Sequence, residues 1–325
     1  LRIVEAKEGH KIGHWFFGPS VIGMSALLKK LDSNAPSLSS GSAHNLWHDV
    51  DEVIDPAKLN RANRILQAGY TAIKMGRFWQ QYSFMEAPTV WTLCAAATSP
   101  SEILKTGAQM ALLDSNSYAI GVRRDFETLR VSIYPLAAMP AWQHVMLLQQ
   151  LALGVSSMLG LKQAVHSVTF DNQVITKAQL LELKPKHVML QSASQVAFNL
   201  KALSSENPFA SPGWDLITRS IVNPLVGMRL KQQCTAYKVA RAIIESYSAG
   251  SALDMVSIAD LLHLEKSTLR RKLKADGTAF SKLLNQFRRQ EVRLRLSAGD
   301  AQQEITQALG YDSLVSLKRL LKTMM

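Results

Sequence analysis

The spacing of apolar positions changes along the chain, and each change predicts a different element. Between Lys58 and Phe78 they recur at helical spacing, through Leu59, Ile65, Leu66 and Ile73. Ser101–Leu113 (SEILKTGAQMALL) repeats that pattern, with Ser101 placed to cap a helix just after Pro100. The period then falls to two. Tyr118–Arg123 and Leu129–Tyr134 are short β-prone runs around Asp125–Thr128 and read as a hairpin. Ala141–Leu159 returns to helix, and His166–Phe170, Val188–Leu190 and Gln195–Leu200 read as further strands. Residues 1–222 thus predict one α+β domain, with helices first and a small antiparallel sheet later. Ser33–Ser42 (SNAPSLSSGS) reads as a loop, and no repeat with a period of roughly 20–50 residues is apparent.

From about Leu225 the pattern is almost wholly helical. Residues 223–234 are expected to link the first domain to an all-α domain over 235–325. Thr235–Ser248 predicts an amphipathic helix ending near Gly250. Helical segments follow at 256–263, 266–275, 278–297, 301–308 and 313–323. Asp276-Gly277, Gly299-Asp300 and Gly310 mark the turns between them.

Two of these stretches share a plan. In 256–275 (VSIADLLHLEKSTLRRKLKA), Ile258, Leu262, Leu264, Leu269 and Leu273 form one apolar face across two helices. A short turn at His263–Lys266 separates them, and Ala259 is small enough for a close helix crossing. That is what a helix-turn-helix needs. The second helix then exposes Ser267, Thr268, Arg270, Arg271 and Lys274. Arginine bridges guanine O6 and N7, while hydroxyls and lysine suit phosphates or base edges. In 301–322, Ile305 and Leu309 face inward, Gly310 permits a left-handed turn, and Leu317, Leu320 and Leu321 continue the buried side. The outward face offers Ser313, Ser316, Lys318 and Arg319. The long helix Phe280–Ser297 would set the two reading helices in successive major grooves, about one DNA turn apart.

Charge sharpens this picture. The chain carries a net +12. Residues 266–295 hold ten Lys and Arg against only Asp276 and Glu291, so the excess falls on the second helix of the first candidate reading unit and on the long helix that follows it. A basic excess alone attracts nucleic acid, anionic membrane or acidic partners without choosing among them; coincidence with the helical pair favours DNA.

Residues 235–325 resemble the C-terminal DNA-binding domain of the AraC/XylS family of bacterial transcription regulators. The marks are Ala259, Leu262, Leu264, Leu269, Arg271 and Leu273, then Gly277-Thr278, Phe280, Arg288 and Leu296, then Ile305, Leu309-Gly310-Tyr311 and Arg319. The N-terminal part is more weakly similar to the arabinose-binding-like regulatory domain of one branch of that family, through its helical start, the segment TSPSEILKTGAQM and a strand-rich second half. The resemblance implies an operator in double-stranded DNA, a small-molecule effector, a homodimer formed through the N-terminal domain, and contact with RNA polymerase if the protein activates.

The sequence departs from the family at named places. Glu265 stands where serine usually caps the second helix, and glutamate is a poor cap. His263 replaces a turn glycine. Thr306, Val315 and Leu317 replace Ala, Ser and Phe in the second unit. Asp300, Glu304 and Asp312 make that unit's first helix acidic, which weakens phosphate attraction. The second unit is thus expected to read fewer bases or to act as a backbone clamp.

Other chemistry finds little support. His10/His14 and His44/His48 have helical spacing for a metal, but nearby glycines and serines argue against helices there, so neither metal nor cofactor is expected. Cys94 sits in an apolar stretch and reads as core. Two cysteines cannot make a disulfide framework, and a reducing compartment follows. No G-x-S-x-G, P-loop or Rossmann fingerprint is present, so no enzymatic activity is expected. Trp79, Tyr82, Trp91 and Arg123 are the candidate effector contacts; the aromatic residues read equally as core. Val145–Leu161, the most apolar stretch, is interrupted by Gln149, Gln150, Ser156 and Ser157, and LRIVEAKEGHKIGHWFFG has no apolar core for a signal peptide. A cytoplasmic protein is therefore expected. The competing readings are an enzyme in residues 1–222 with a basic helical appendage, and a basic protein that binds any nucleic acid or anionic lipid.

Overall fold

A computed structural model describes residues 94–114, 118–136, 147, 148, 151, 152, 164–170, 187–190 and 194–323, together with 29, 32–34, 61 and 64. Most of the helix expected at Lys58–Phe78, most of that at Ala141–Leu159 and nearly all of the loop at Ser33–Ser42 lie outside these residues, as do both histidine pairs.

Helix α1 (Pro100–Asp114) opens the described fold. Its first carbonyl belongs to Ser99, which accepts from the Ile103 N–H at 3.0 Å. The Ser99 hydroxyl accepts from the Glu102 N–H at 3.3 Å. Ser99 is therefore the cap, not Ser101. The reason is Pro100: at the first helical position its missing N–H leaves nothing unsatisfied, so the helix starts there.

Strands β1 (Tyr118–Arg124) and β2 (Thr128–Pro135) form the expected hairpin. With β3 (Val165–Phe170), β4 (His187–Leu190) and β5 (Ser194–Asn199) they make a five-stranded sheet in the order β1-β2-β5-β3-β4. Pairing is antiparallel except at one edge, where β3 and β4 run parallel. That departs from the antiparallel sheet expected. A parallel neighbour needs a crossover connection, which no local apolar pattern reveals.

The two faces of the hairpin divide by alternation. Ile120, Val122, Leu129, Val131 and Ile133 enter one buried apolar cluster with Ile103, Leu104 and Met110 of α1. Cys94 belongs there too, with its thiol 3.5 Å from the Met110 sulfur, and burial pushes that thiol up to about 12. Ala119 and Tyr134, on the opposite face, enter a second cluster made mainly by the C-terminal helices. The hairpin is thus covered on both sides, and its polar alternate positions are not a solvated face.

Short helix α2 (Leu200–Leu203) leads to α3 (Pro212–Lys231). Arg219 fixes α3 to α1, with its guanidinium 2.9 Å from Asp215 and 2.8 Å from the Thr106 hydroxyl. Helix α3 continues through most of the segment expected as a linker. Val222 belongs to the first cluster, Leu230 packs on the second, and Val226 touches both. The outer side of α3 exposes Trp214, Ile217, Ile221 and Met228. The remaining helices are α4 (Thr235–Ser248), α5 (Met255–Leu261), α6 (Lys266–Ala275), α7 (Phe280–Ser297), α8 (Gln302–Ala308) and α9 (Leu314–Lys322). No helix among the described residues is long and apolar enough to cross a membrane.

Candidate nucleic-acid interface

Local chemistry sets the length of each C-terminal helix. Asp254 caps α5: one carboxylate oxygen accepts from the N–H groups of Val256 and Ser257 at 2.8 and 3.0 Å, and the other from the Ser257 hydroxyl at 2.7 Å. At the far end the His263 N–H reaches the Asp260 carbonyl at 3.0 Å, and the Leu264 N–H reaches that of Ala259 at 2.9 Å. This paired pattern requires a left-handed residue between helix and exit. His263 supplies it, with φ of 53°. Gly250, Gly277, Gly299 and Gly310 hold the same place after α4, α6, α7 and α8. A side chain in that conformation costs about 1–2 kcal/mol, part of which glycine returns through its freer unfolded chain. His263→Gly is expected to raise stability by about 0.5–1 kcal/mol, read as a higher thermal midpoint. A lower midpoint would show that the imidazole compensates through its own contacts.

After that turn α6 begins at Lys266. Glu265 occupies its cap position and makes no side-chain capping bond, as its chemistry predicts. Leu269 and Leu273 are buried against Ile258 and Ala259, while Leu262 and Leu264 are half-buried on the same cluster. The opposite face presents Ser267, Arg270, Arg271 and Lys274 to solvent, with Thr268 half-buried at its margin. Lys266 and Lys272 extend this exposed basic face. No carboxylate of the described chain neutralises Arg270, Arg271 or Lys274 by an ion pair.

The second pair of helices has the same plan with different details. Ile305, Leu309 and Leu317 are fully buried, and Leu320 and Leu321 are partly so. Ser313 caps α9, its hydroxyl accepting from the Ser316 N–H at 3.4 Å and lying 3.3 Å from the Ser316 hydroxyl. Both hydroxyls named as outward contacts are thus also used in starting the helix. Lys318 and Arg319 are exposed. The turn before α9 is pinned by Arg288 of α7, which donates to the Leu309 and Gly310 carbonyls at 3.0 Å each. Its guanidinium lies 4.5 Å from the centre of the Tyr311 ring. Sequence reasoning noted Arg288 only as a family mark; its role in holding that turn needed the structure.

Of the three acidic residues assigned to the second pair, Asp300 is turned inward. It pairs with Arg130 of β2 and Arg295 of α7 at 3.1 and 2.8 Å, so it does not oppose a phosphate. Glu304 and Asp312 are exposed. Arg123, a candidate effector contact, donates to the Tyr247 hydroxyl and lies 3.5 Å from Asp125. It lines a polar cleft together with Asp125, Arg130, Tyr247, Glu291 and Arg295. The other effector candidates, Trp79, Tyr82 and Trp91, lie outside the described residues. Among the described residues no cluster of His, Cys, Asp or Glu could hold a metal.

No family model matches this chain, and no curated protein matches it. One solved structure it aligns with is the crystal structure of the transcriptional regulator CdpR from Pseudomonas aeruginosa. The alignment covers 84% of this chain and 90% of that one, at 16% identity and a TM-score of 0.39.

Proposed function

We propose that this chain is a DNA-binding transcription regulator of the AraC/XylS type. In this reading α5–α6 and α8–α9 are helix-turn-helix units, and α6 and α9 are the helices that enter the major groove. Residues 1–222 form the effector-binding and dimerisation domain, and an activating role would add a contact with RNA polymerase. The observation that carries the reading is the outer face of α6. Arg270, Arg271 and Lys274 stand exposed and without ion pairs, on a helix whose other side is locked by Leu269 and Leu273. Simple charge attraction to any polyanion requires no such rigid, one-sided mounting. The exposed apolar side chains Trp214, Ile217, Ile221 and Met228 on α3 form the surface this reading assigns to the dimer.

Selection of genomic DNA fragments on the purified chain at about 150 mM salt tests the proposal. One enriched motif is expected, and its half-site symmetry reports the dimer. Failure to enrich any motif, with and without candidate metabolites, would count against the reading. Within the motif, Arg271→Ala is expected to cost about 1–3 kcal/mol and to relax discrimination at one or two positions. Equal affinity of variant and parent across base substitutions would remove Arg271 from base readout.

A further inference from the structure

A closed ring of polar contacts joins the sheet to the C-terminal helices. Asp125, at the hairpin turn, lies against Arg130 of β2 and 3.5 Å from Arg123 of β1. Arg130 reaches Asp300 at 3.1 Å, and Asp300 reaches Arg295 of α7 at 2.8 Å. Arg295 donates to the Tyr247 hydroxyl of α4 at 2.8 Å, and Arg123 closes the ring on that same hydroxyl. Glu291 hangs from the ring, accepting from Tyr247 at 2.7 Å and from Tyr134 of β2 at 2.6 Å. Three guanidinium groups thus meet three carboxylates, so the burial of each charge is offset by a partner.

The ring has two kinds of anchor. Glu291, Arg295 and Tyr247 belong to α7 and α4, which are already fixed to the sheet by Phe287, Tyr134 and the Gln290 side chain, whose N–H donates to the Ile133 carbonyl at 3.2 Å. Asp300 belongs to the turn after α7, and α8 begins two residues later. Through it Arg130 reaches the second helical pair, which otherwise hangs from α7 and the Arg288 clasp.

We propose that Arg130 is a positioning residue for the second helical pair: by holding Asp300 it lets the sheet set where α9 stands relative to α6. The inference rests on the DNA-binding reading for its functional consequence and on the ring geometry for its structural one. The sheet then does more than carry the helices. It fixes the second reading head against the first, so that both meet one stretch of duplex.

The test uses the full chain with Arg130→Met, Asp300→Asn, their combination, and Arg130→Lys. Hydrogen exchange of peptides from α8–α9 is compared with that of peptides from α5–α6. Affinity is measured for the full selected site and for a shortened duplex holding only the part contacted by α5–α6. Each single variant is expected to exchange faster in α8–α9 alone. Each should lose about tenfold affinity for the full site with none lost on the short duplex; the combination should add little, and Arg130→Lys should recover part of the loss. Equal losses on both duplexes, no loss on either, or exchange unchanged in α8–α9 would overturn the proposal. Should the parent chain bind no DNA, the functional reading fails, and exchange in α8–α9 alone decides whether Arg130 positions that pair.

Discussion

Replacing Glu291 by alanine is expected to lower folding stability by about 3–5 kcal/mol, read as a shifted midpoint in urea. Glu291 is buried and accepts from two phenols at 2.6 and 2.7 Å. Alanine would leave the Tyr134 hydroxyl buried with no acceptor, at about 1–3 kcal/mol. It would also leave the buried Arg295 guanidinium with one carboxylate fewer, and open a gap where the Glu291 side chain is buried. Burial pushes the Glu291 carboxyl up, and the two phenols, with Arg123 and Arg130, pull against that shift. Glu291→Gln keeps the volume and one acceptor but turns an amide N–H2 toward one phenol and leaves three guanidinium groups with two carboxylates, so it should recover only part of the loss. A loss under about 1 kcal/mol for the alanine variant would show that water replaces the carboxylate without penalty.

Gly121→Ala is the second large effect, at about 2 kcal/mol. A Cβ at this position would sit 2.8 Å from the Tyr134 ring, 2.9 Å from the Ser248 hydroxyl and 3.2 Å from Ile244. The Ser248 hydroxyl is held by no hydrogen bond and can rotate about its single side-chain torsion. Tyr134 cannot turn away: its ring is buried against Phe287 and its hydroxyl is held by Glu291. The strain therefore falls on the packing of β1 against the Tyr134 ring of β2 and, through Ile244, against α4. Thermal denaturation checks this, and an unchanged midpoint would mean that strand and helix separate slightly at little cost. Gly121 is needed here for close approach of backbone to helix, not for a left-handed turn.

Sequence pattern reached the C-terminal helices more fully than the sheet, for a physical reason. Leu269, Leu273, Ile305, Leu309 and Leu317 lie on helices whose buried side follows from the 3.6-residue repeat, and each is buried. Gly277, Gly299 and Gly310 mark turns because a left-handed exit favours glycine at that point. These signals are local. The ring is not local: Arg130 and Asp300 are 170 residues apart, and Tyr134 and Glu291 are 157 apart. Period-two alternation places Arg130, Ser132 and Tyr134 on one side of β2, but says nothing of what covers that side. Glu291 read as an acidic interruption in a basic run, whereas it is the acceptor for two tyrosines. The parallel β3–β4 pair was hidden for the same reason, since strand direction depends on a connection, not on the strand. His263 was legible as a departure from a turn glycine, and the structure shows a histidine in the backbone conformation a glycine would ease.

Helix α3 has a consequence for reach. A flexible tether of nine residues lets its ends wander over a span of roughly 15–18 Å in any direction. The same residues in α3, from 223 to 231, rise about 13 Å as helix, with Pro224 the one interior proline. A head carried on such a beam samples a small solid angle instead of a sphere. If each protomer of a dimer is mounted this way, the separation and phase of its half-sites are fixed by the protein. An insertion of half a DNA turn between them would then leave one head facing the wrong side of the duplex.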